Sequence, residues 1–496
     1  MNVLLLSMPD SFEHMPELVI RMPNGALTSL AGNIDPHHKV AVADLILVQR
    51  RVRETVEQLV REHAPDVVGL SVMTFQRGTA MRIVELIRKL HPSVRFVVGG
   101  YDPSLAPEPY MGNAEIDFIV RGEGEITFRE LLRAMENHTG YAGIAGLSYR
   151  APEGFRHNAD RPVSSLTAAE VRPPRREARV LHGYTMMGRQ VDVVETSRGC
   201  TFDCSFCSII EMRGRNFHTY DFDRVIADIR DAHAHGARAV FLVDDNITLN
   251  IPRFEALCRK IIEAGLNHID YIVQAMTSSI GNHGDTLAPL MRKAGFRYVF
   301  LGIENILDKD LGFLKARSKN EQRDHGHIVG NATLTAIGHI RKNRMFVVGG
   351  LIVGNPDDTT ESIEANLEFA RRYVDWPYIQ HPTPYPRTPM TRDLQDKGLI
   401  AHDRVNEYDG TTAVLNTKDI APLEIEFMRW RAERWMKVRH MPKVLAHTPW
   451  FMLRHGLRML GHTFRGCGLK SLIGLEAEQR AFERYRELRV KERIYV

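Results

Sequence analysis

The sequence predicts an α/β protein in three regions. These are a doubly wound first domain over residues 1–150, a (βα)6 partial barrel over 191–390 and a basic helical region over 391–496, with a linker at 151–190. Three observations carry this reading. Strand-sized apolar runs alternate with amphipathic segments in two separate stretches, the pattern of parallel sheets covered by helices. A Pro-, Arg- and Ala-rich segment with little periodicity separates the two stretches. A length of 496 residues is enough for two or three domains, each with its own core.

In the first region Val3–Ser7 is a short apolar run, Gln49–His63 has helical periodicity, and Val67–Thr74 is a buried-strand candidate bounded by Pro65. Arg77–Leu90 is amphipathic, and Arg95–Gly100 and Asp117–Val120 are further strands. Ligands of such sheets bind beyond the carboxyl ends of the strands. Ser71 with Thr74, the pair Gly99-Gly100 and Gly122-Glu123-Gly124-Glu125 all lie there.

In the second region the expected strands are Val191–Thr196, Ala239–Asp245, Tyr271–Met276, Tyr298–Glu304, Phe346–Gly354 and Tyr378–Tyr385. Helices are expected near 222–235, 252–264, 284–294, 331–343 and 360–372. Right-handed β–α units of this kind curl into a barrel whose chemistry gathers at the carboxyl ends of the strands. Cys258 shares an apolar helix face with Phe254, Leu257 and Ile261 and reads as a core residue.

The third region holds Trp430, Trp435 and Trp450, and from Phe427 to the end sixteen Lys/Arg stand against six Asp/Glu. It is placed to cover the barrel mouth. The segment Pro449–Phe464 mixes basic and large apolar residues, the composition either of a helix on an anionic membrane surface presenting a lipid-like substrate or of a basic coat on a packed bundle. A net charge of +4 is too small to argue for nucleic acid. The apolar start lacks a basic flank and breaks at Pro9, so it reads as a buried strand rather than a signal peptide. No apolar run approaches the roughly 20 residues that span a bilayer. With five cysteines in the chain, a reducing, cytoplasmic compartment is expected, with peripheral membrane contact left open.

The chemistry concentrates in Cys200, Cys204 and Cys207, a C-x3-C-x2-C run that begins where the strand Val191–Thr196 ends. Three soft thiolates on one short loop suit an iron–sulfur cluster and leave one iron of a cubane open to bind and cleave something. A structural zinc site is the bland alternative; it would need a fourth ligand from His218 or a more distant residue. Cys467, between two glycines, reads either as a thiol over the active site or as an incidental one.

This spacing, with the aromatic Phe206 before the third cysteine, resembles the signature of the radical S-adenosylmethionine (SAM) enzymes. The resemblance implies a [4Fe-4S] cluster whose open iron chelates SAM, reductive cleavage to a 5′-deoxyadenosyl radical, and a flavodoxin- or ferredoxin-type electron donor. It implies that Asp244-Asp245-Asn246 contacts the SAM amino group, Glu304 the ribose, and the strand ending at Gly354 the adenine; the generic alternative is that the acids cap helices. The proline-rich run Pro382–Pro389 is similar to one near the end of this core in cobalamin-dependent members.

The first region likewise resembles the Rossmann-like cobalamin-binding domain of one radical SAM subgroup. Ser71, Thr74, Gly99, Gly100, Gly122, Glu123 and Gly124, with the proline segment Pro107-Glu-Pro109, are the matching pieces. Glycines there let the backbone approach the nucleotide tail, and Ser71 would hydrogen-bond it. Two departures stand out. The Asp-x-His-x-x-Gly motif that supplies a lower cobalt ligand is replaced by Pro9-Asp-Ser-Phe-Glu-His-Met, with Asp35-Pro-His37 only a near miss, and Asp102 stands where many relatives have histidine. Cobalamin without a histidine lower ligand is therefore expected.

Together the resemblances imply methylation of an unactivated carbon, or phosphorus, in a hydrophobic or multi-ring small molecule, with a second SAM remethylating the cobalt. The alternative keeps both cofactors but closes or rearranges a ring without methyl transfer. A non-catalytic sensor that binds nucleic acid through the basic helices is disfavoured by the open-iron motif and the strand-end acids.

Overall fold

The computed structural model describes residues 1–11, 20–464 and 474–496. The first sheet contains β1 (Asn2–Ser7), β3 (Lys39–Asp44), β4 (Val67–Ser71), β5 (Arg95–Gly99), β6 (Phe118–Val120), β7 (Leu147–Ala151) and β8 (Gly154–His157), while β2 (Ile20–Arg21) joins the second sheet. The order is β3-β1-β4-β5-β6-β7-β8, parallel as far as β6 and antiparallel beyond it. Leu4, Leu5 and Leu6 are buried on both faces, which is why β1 reads as a continuous apolar run. The register sets Asp44 against Ser7, Ser7 against Ser71 and Ser71 against Gly99, so the carboxyl ends form one row.

The second sheet adds β9 (Thr185–Met186) and β10 (Arg189–Val194); a small ladder joins β11 (Ser197–Arg198) to β12 (His218–Thr219). The sheet continues with β13 (Ala239–Leu242), β14 (Asp270–Met276) and β15 (Phe296–Glu304). After the exposed hairpin of β16 (Glu321–Asp324) and β17 (His327–Asn331) come β18 (Phe346–Ile352) and β19 (Trp376–Gln380). The order β19-β18-β15-β14-β13-β10-β9-β2 is parallel from β19 to β10 and curls into a half-barrel.

Three expectations need correction. The sixth barrel strand stops at Gln380 instead of running to Tyr385, because Pro382, Pro384 and Pro386 have no N–H to continue a ladder. The helix expected from 284 starts at Thr277; its glycine-rich opening is needed for close packing, since Cβ atoms at Gly281 and Gly284 would lie 2.6 Å from Ala332, the N-cap of the neighbouring helix Thr333–Lys342, and 2.5 Å from His339 on that helix. The stretch 151–190, expected as a linker, is built into the protein. It supplies β8 and β9, and Arg179 bridges to Val42 and, with the equally buried Arg176, pairs with Asp192 on β10.

The basic region forms helices Pro422–His447, Pro449–Thr463 and Leu475–Glu492. Trp430 and Phe482 pack together between the first and third of these, and Ile425 lies against Gly354 at the end of β18. After the third helix Tyr495 and Val496 pack against the core of the first domain. Cys258 is fully buried beside Phe254, Leu257 and Ile261.

Candidate active site

The cysteine loop leaves the carboxyl end of β10 through β11. Gly199 is required at its start: φ is +94°, and a Cβ would meet the Asn216 carbonyl at 2.4 Å. Ser205 pins the middle of the loop, its N–H donating to Leu314 O (3.0 Å), its hydroxyl to Phe313 O (2.9 Å) and its carbonyl accepting from Met390 N (2.9 Å). Cys204 is buried, while Cys200 and Cys207 are partly exposed. Burial pushes the Cys204 and Cys207 thiols up, to about 11 and about 12, so ligation by them requires loss of their protons. Three sulfurs on one anchored loop, with no imidazole in the set, fit an iron–sulfur cluster better than a closed four-ligand zinc shell.

Around this loop the structure redistributes the polar groups. Asp244 turns inward and accepts from Thr196 N (2.7 Å), Thr196 Oγ1 (2.5 Å) and Ser197 Oγ, while burial pushes its carboxyl up to about 7. Asp245 accepts from Gly199 N (2.7 Å) and Arg213 (3.1 Å). Both acids therefore brace the cysteine loop. The next residue, Asn246, reaches the site: its amide donates toward Cys200 Sγ at 3.5 Å and Met276 Sδ at 3.2 Å.

Glu304 follows a register shift between β15 and β18 and has φ of +62°, strained for a glutamate. Its Oε1 accepts from Lys319 Nζ at 2.6 Å, and Lys319 lies 5.9 Å from the Phe206 ring centre. Burial alone would lower the Lys319 ammonium, but Glu304 and the thiols of Cys204 and Cys207 outweigh it and raise it. Sequence reasoning missed Lys319, whose only cue was a lysine in the loop after the glutamate strand.

At the end of β18, Gly354 has φ of +91° and donates, with Asn355 N, to Asp358 Oδ2 at 2.8 Å. Beside it the Asn355 side-chain amide and His381 Nε2 are buried without hydrogen-bond partners. Burial drives the His381 imidazole down to about 3, so it is neutral. Unsatisfied buried donors and acceptors at this strand end fit a polar ligand.

Between the domains lies a cavity of about 510 Å³. Its walls include Ser71, Gly99, Gly100, Gly122, Glu123 and Gly124 from the first domain and Glu195, Arg198 and Arg213 from the second. Gly100 has φ of +98°, and a Cβ there would come within 3.0 Å of Val72 O; Gly122 has φ of +75° and faces open space. A glycine-lined cavity at the carboxyl row of a parallel sheet fits a nucleotide-bearing cofactor. Thr74 is buried in a short turn outside the lining, which Met73 and Gln76 supply instead. Asp102 is held by Arg77 through two 2.8 Å bonds and by Tyr110 OH at 2.6 Å, so it is committed to the protein. Glu123 and Glu125 face Arg198 and tie the domains together. Cys467 and His14 lie outside the described residues.

Asp10, just after β1, also lines the cavity. Burial outweighs the Thr79 bond and the charge of Arg493 and raises its carboxyl to about 7. Unfolded, it would titrate near 3.8, so its contribution is fully present below that pH and lost as pH rises to about 7. Asp10→Asn is expected to be more stable than the parent at pH 8, by on the order of 4 kcal/mol, with the difference vanishing near pH 4. Thermal midpoints across that range check this.

A B12-type domain set against a three-cysteine half-barrel defines an enzyme class, and comparison with known proteins agrees. The family described as "B12 binding domain" matches residues 23–132, and "Radical SAM superfamily" matches 194–370. The chain belongs to the cobalamin-dependent radical SAM enzymes. It is 27% identical to an uncharacterized methyltransferase of Pyrococcus horikoshii over 85% of this chain and 89% of the relative. It is 26% identical to the anaerobic magnesium-protoporphyrin IX monomethyl ester cyclase of Rubrivivax gelatinosus, over 71% of this chain and 63% of that protein. The radical SAM methyltransferase TsrM from Kitasatospora setae, solved with cobalamin and a [4Fe-4S] cluster bound, superposes with a TM-score of 0.64 at 21% identity, covering 80% of this chain and 78% of its own.

Proposed function

We propose that this enzyme methylates an unactivated carbon of a hydrophobic or multi-ring small molecule. The observation that carries the reading is the placement of the cysteine loop: Arg198, two residues before Cys200, forms part of the wall of the B12-domain cavity. When bound, the cluster and cobalamin would supply one-electron cleavage of SAM and methyl transfer.

In this reading Cys200, Cys204 and Cys207 hold the cluster. Asn246, Glu304 with Lys319, and the Gly354–Asn355 strand end position SAM; Phe206 closes one side, with Asp244 and Asp245 bracing the loop. Ser71, Gly99, Gly100, Gly122 and Gly124 cradle cobalamin, and Glu123 fixes the cavity wall through Arg198. A flavodoxin- or ferredoxin-type protein supplies the electron.

The test is anaerobic reconstitution with iron, sulfide and cobalamin, followed by incubation with methyl-deuterated SAM and candidate tetrapyrroles or polycyclic lipids. Label in the product establishes methylation. Substrate turnover with 5′-deoxyadenosine but no label would favour the second reading, ring closure, which the cyclase relative supports. Absence of iron or of SAM cleavage would sink both.

We also propose peripheral membrane contact. Among the described residues no helix is long and apolar enough to cross a membrane. Helix Pro449–Thr463, however, exposes Trp450 (82%), Leu453 (73%) and Leu457 (87%) along one stripe, with exposed Arg454 and Arg458 beside it. Apolar side chains flanked by arginines complement an anionic lipid surface. Co-sedimentation with phosphatidylglycerol vesicles but not phosphatidylcholine vesicles is expected, and Trp450→Ala/Leu457→Ser should reduce it at least about tenfold. Equal pelleting with both lipids, or none, refutes the contact.

A further inference from the structure

Far from the cysteine loop, the turn between helix Gly25–Asn33 and β3 brings two adjacent histidines to the end of helix Gly124–Glu136. His37 Nε2 lies 2.9 and 3.0 Å from the two Glu136 carboxylate oxygens, and His38 Nε2 lies 3.8 Å from one of them. All three ligand atoms fall within 4.8 Å of one another. His38 is 3% exposed, and its Nε2 is buried with no hydrogen-bond partner. A buried imidazole nitrogen aimed at a carboxylate and left unsatisfied is costly unless something fills the gap.

We propose that His37, His38 and Glu136 form a binding site for a divalent transition-metal ion of the zinc class. Two imidazoles and a carboxylate are a donor set suited to zinc and its first-row neighbours, with water able to complete the shell on the exposed His37 side. The end of a helix adds partial negative charge toward the ion. Asp35, nearby in sequence, is not available, since Arg133 and Arg172 hold its carboxylate at 2.6 and 3.1 Å.

The site has a structural consequence. Helices Gly25–Asn33 and Gly124–Glu136 both line the interdomain cavity, through Ala26, Leu27 and Ser29 on one and Glu125 and Phe128 on the other. An ion joining the turn after the first helix to the last residue of the second clamps two cavity walls together.

The experiment uses the cluster-reconstituted, cobalamin-loaded protein, dialysed against a weak chelator and titrated with Zn²⁺. One zinc per chain is expected with iron content unchanged, accompanied by a rise in thermal midpoint. His37→Ala, at an exposed position that leaves the fold intact, and Glu136→Gln should each weaken binding at least about tenfold and abolish the thermal shift. No zinc bound by the parent, or undiminished binding and shift in both variants, overturns the site. The readout is independent of methyl transfer, so it stands or falls apart from the proposed reaction.

Discussion

Cys204→Ala is expected to abolish reductive SAM cleavage altogether while leaving cobalamin binding by the first domain intact. The two sites stand on separate cores. Cys204 is buried on a loop anchored to Leu314, Phe313 and Met390, all in the second domain or the segment after it. The glycine row at the carboxyl ends of the first sheet belongs to a separate core. Removing one sulfur deprives an iron of its ligand, whereas deleting a buried thiol costs only on the order of 1 kcal/mol of packing. The variant should therefore fold, retain cobalt at one per chain after reconstitution, and form no 5′-deoxyadenosine above the level of cluster-free protein. Normal cleavage would remove the cysteine loop from the chemistry, and loss of both cleavage and cobalamin would show that the two sites are one structural unit.

How much of this was legible in the sequence follows from what each residue's neighbours are. Strands buried on both faces, such as Leu4–Leu6 or Val347–Leu351, announce themselves as apolar runs, and a cysteine loop at a strand end is visible because its ligands are close in the chain. β3 escaped because Lys39-Val-Ala-Val-Ala-Asp is a short edge strand whose alanines dilute the apolar signal. Lys319 escaped because it meets Glu304 only after the chain has looped back, with no periodicity between them. The run Asp244-Asp245-Asn246 was expected at the SAM amino group as a unit, and the structure divides its three side chains between two tasks. Asp244 accepts from Thr196 and Ser197, and Asp245 from Gly199 and Arg213, so both brace the cysteine loop, while Asn246 is the residue whose amide points toward sulfur. Sequence shows which chemical groups are present at a strand end; it does not show which of them the protein has already satisfied.

The glutamates of the Gly122–Glu125 segment lead to the second large expected effect. Arg198 is 4% exposed and binds Glu125 at 2.6 Å, Glu195 at 2.8 Å and Glu123 at 3.4 Å, joining the first domain to the strand end that carries the cysteine loop. Burial would raise the Glu125 carboxyl, but the Arg198 charge outweighs it and holds the group at about 2. Its unfolded value is near 4.5, so the stabilisation is complete above that pH and lost as pH falls toward 2. Arg198→Met strands three carboxylates around an apolar side chain, and breaking a buried pair this way costs about 3–5 kcal/mol. A lower melting point is expected at pH 7, with the gap from the parent closing as the pH approaches 2. Cobalamin should also dissociate faster, because the same glutamates fix a wall of its proposed cavity. Arg198→Lys keeps the charge but loses the planar fork, so it should fall between the two. If Arg198→Met melts within a degree of the parent and holds cobalamin as tightly, the interdomain contact is decoration, and the alignment of the two domains must come from the buried Arg176–Asp192–Arg179 group instead.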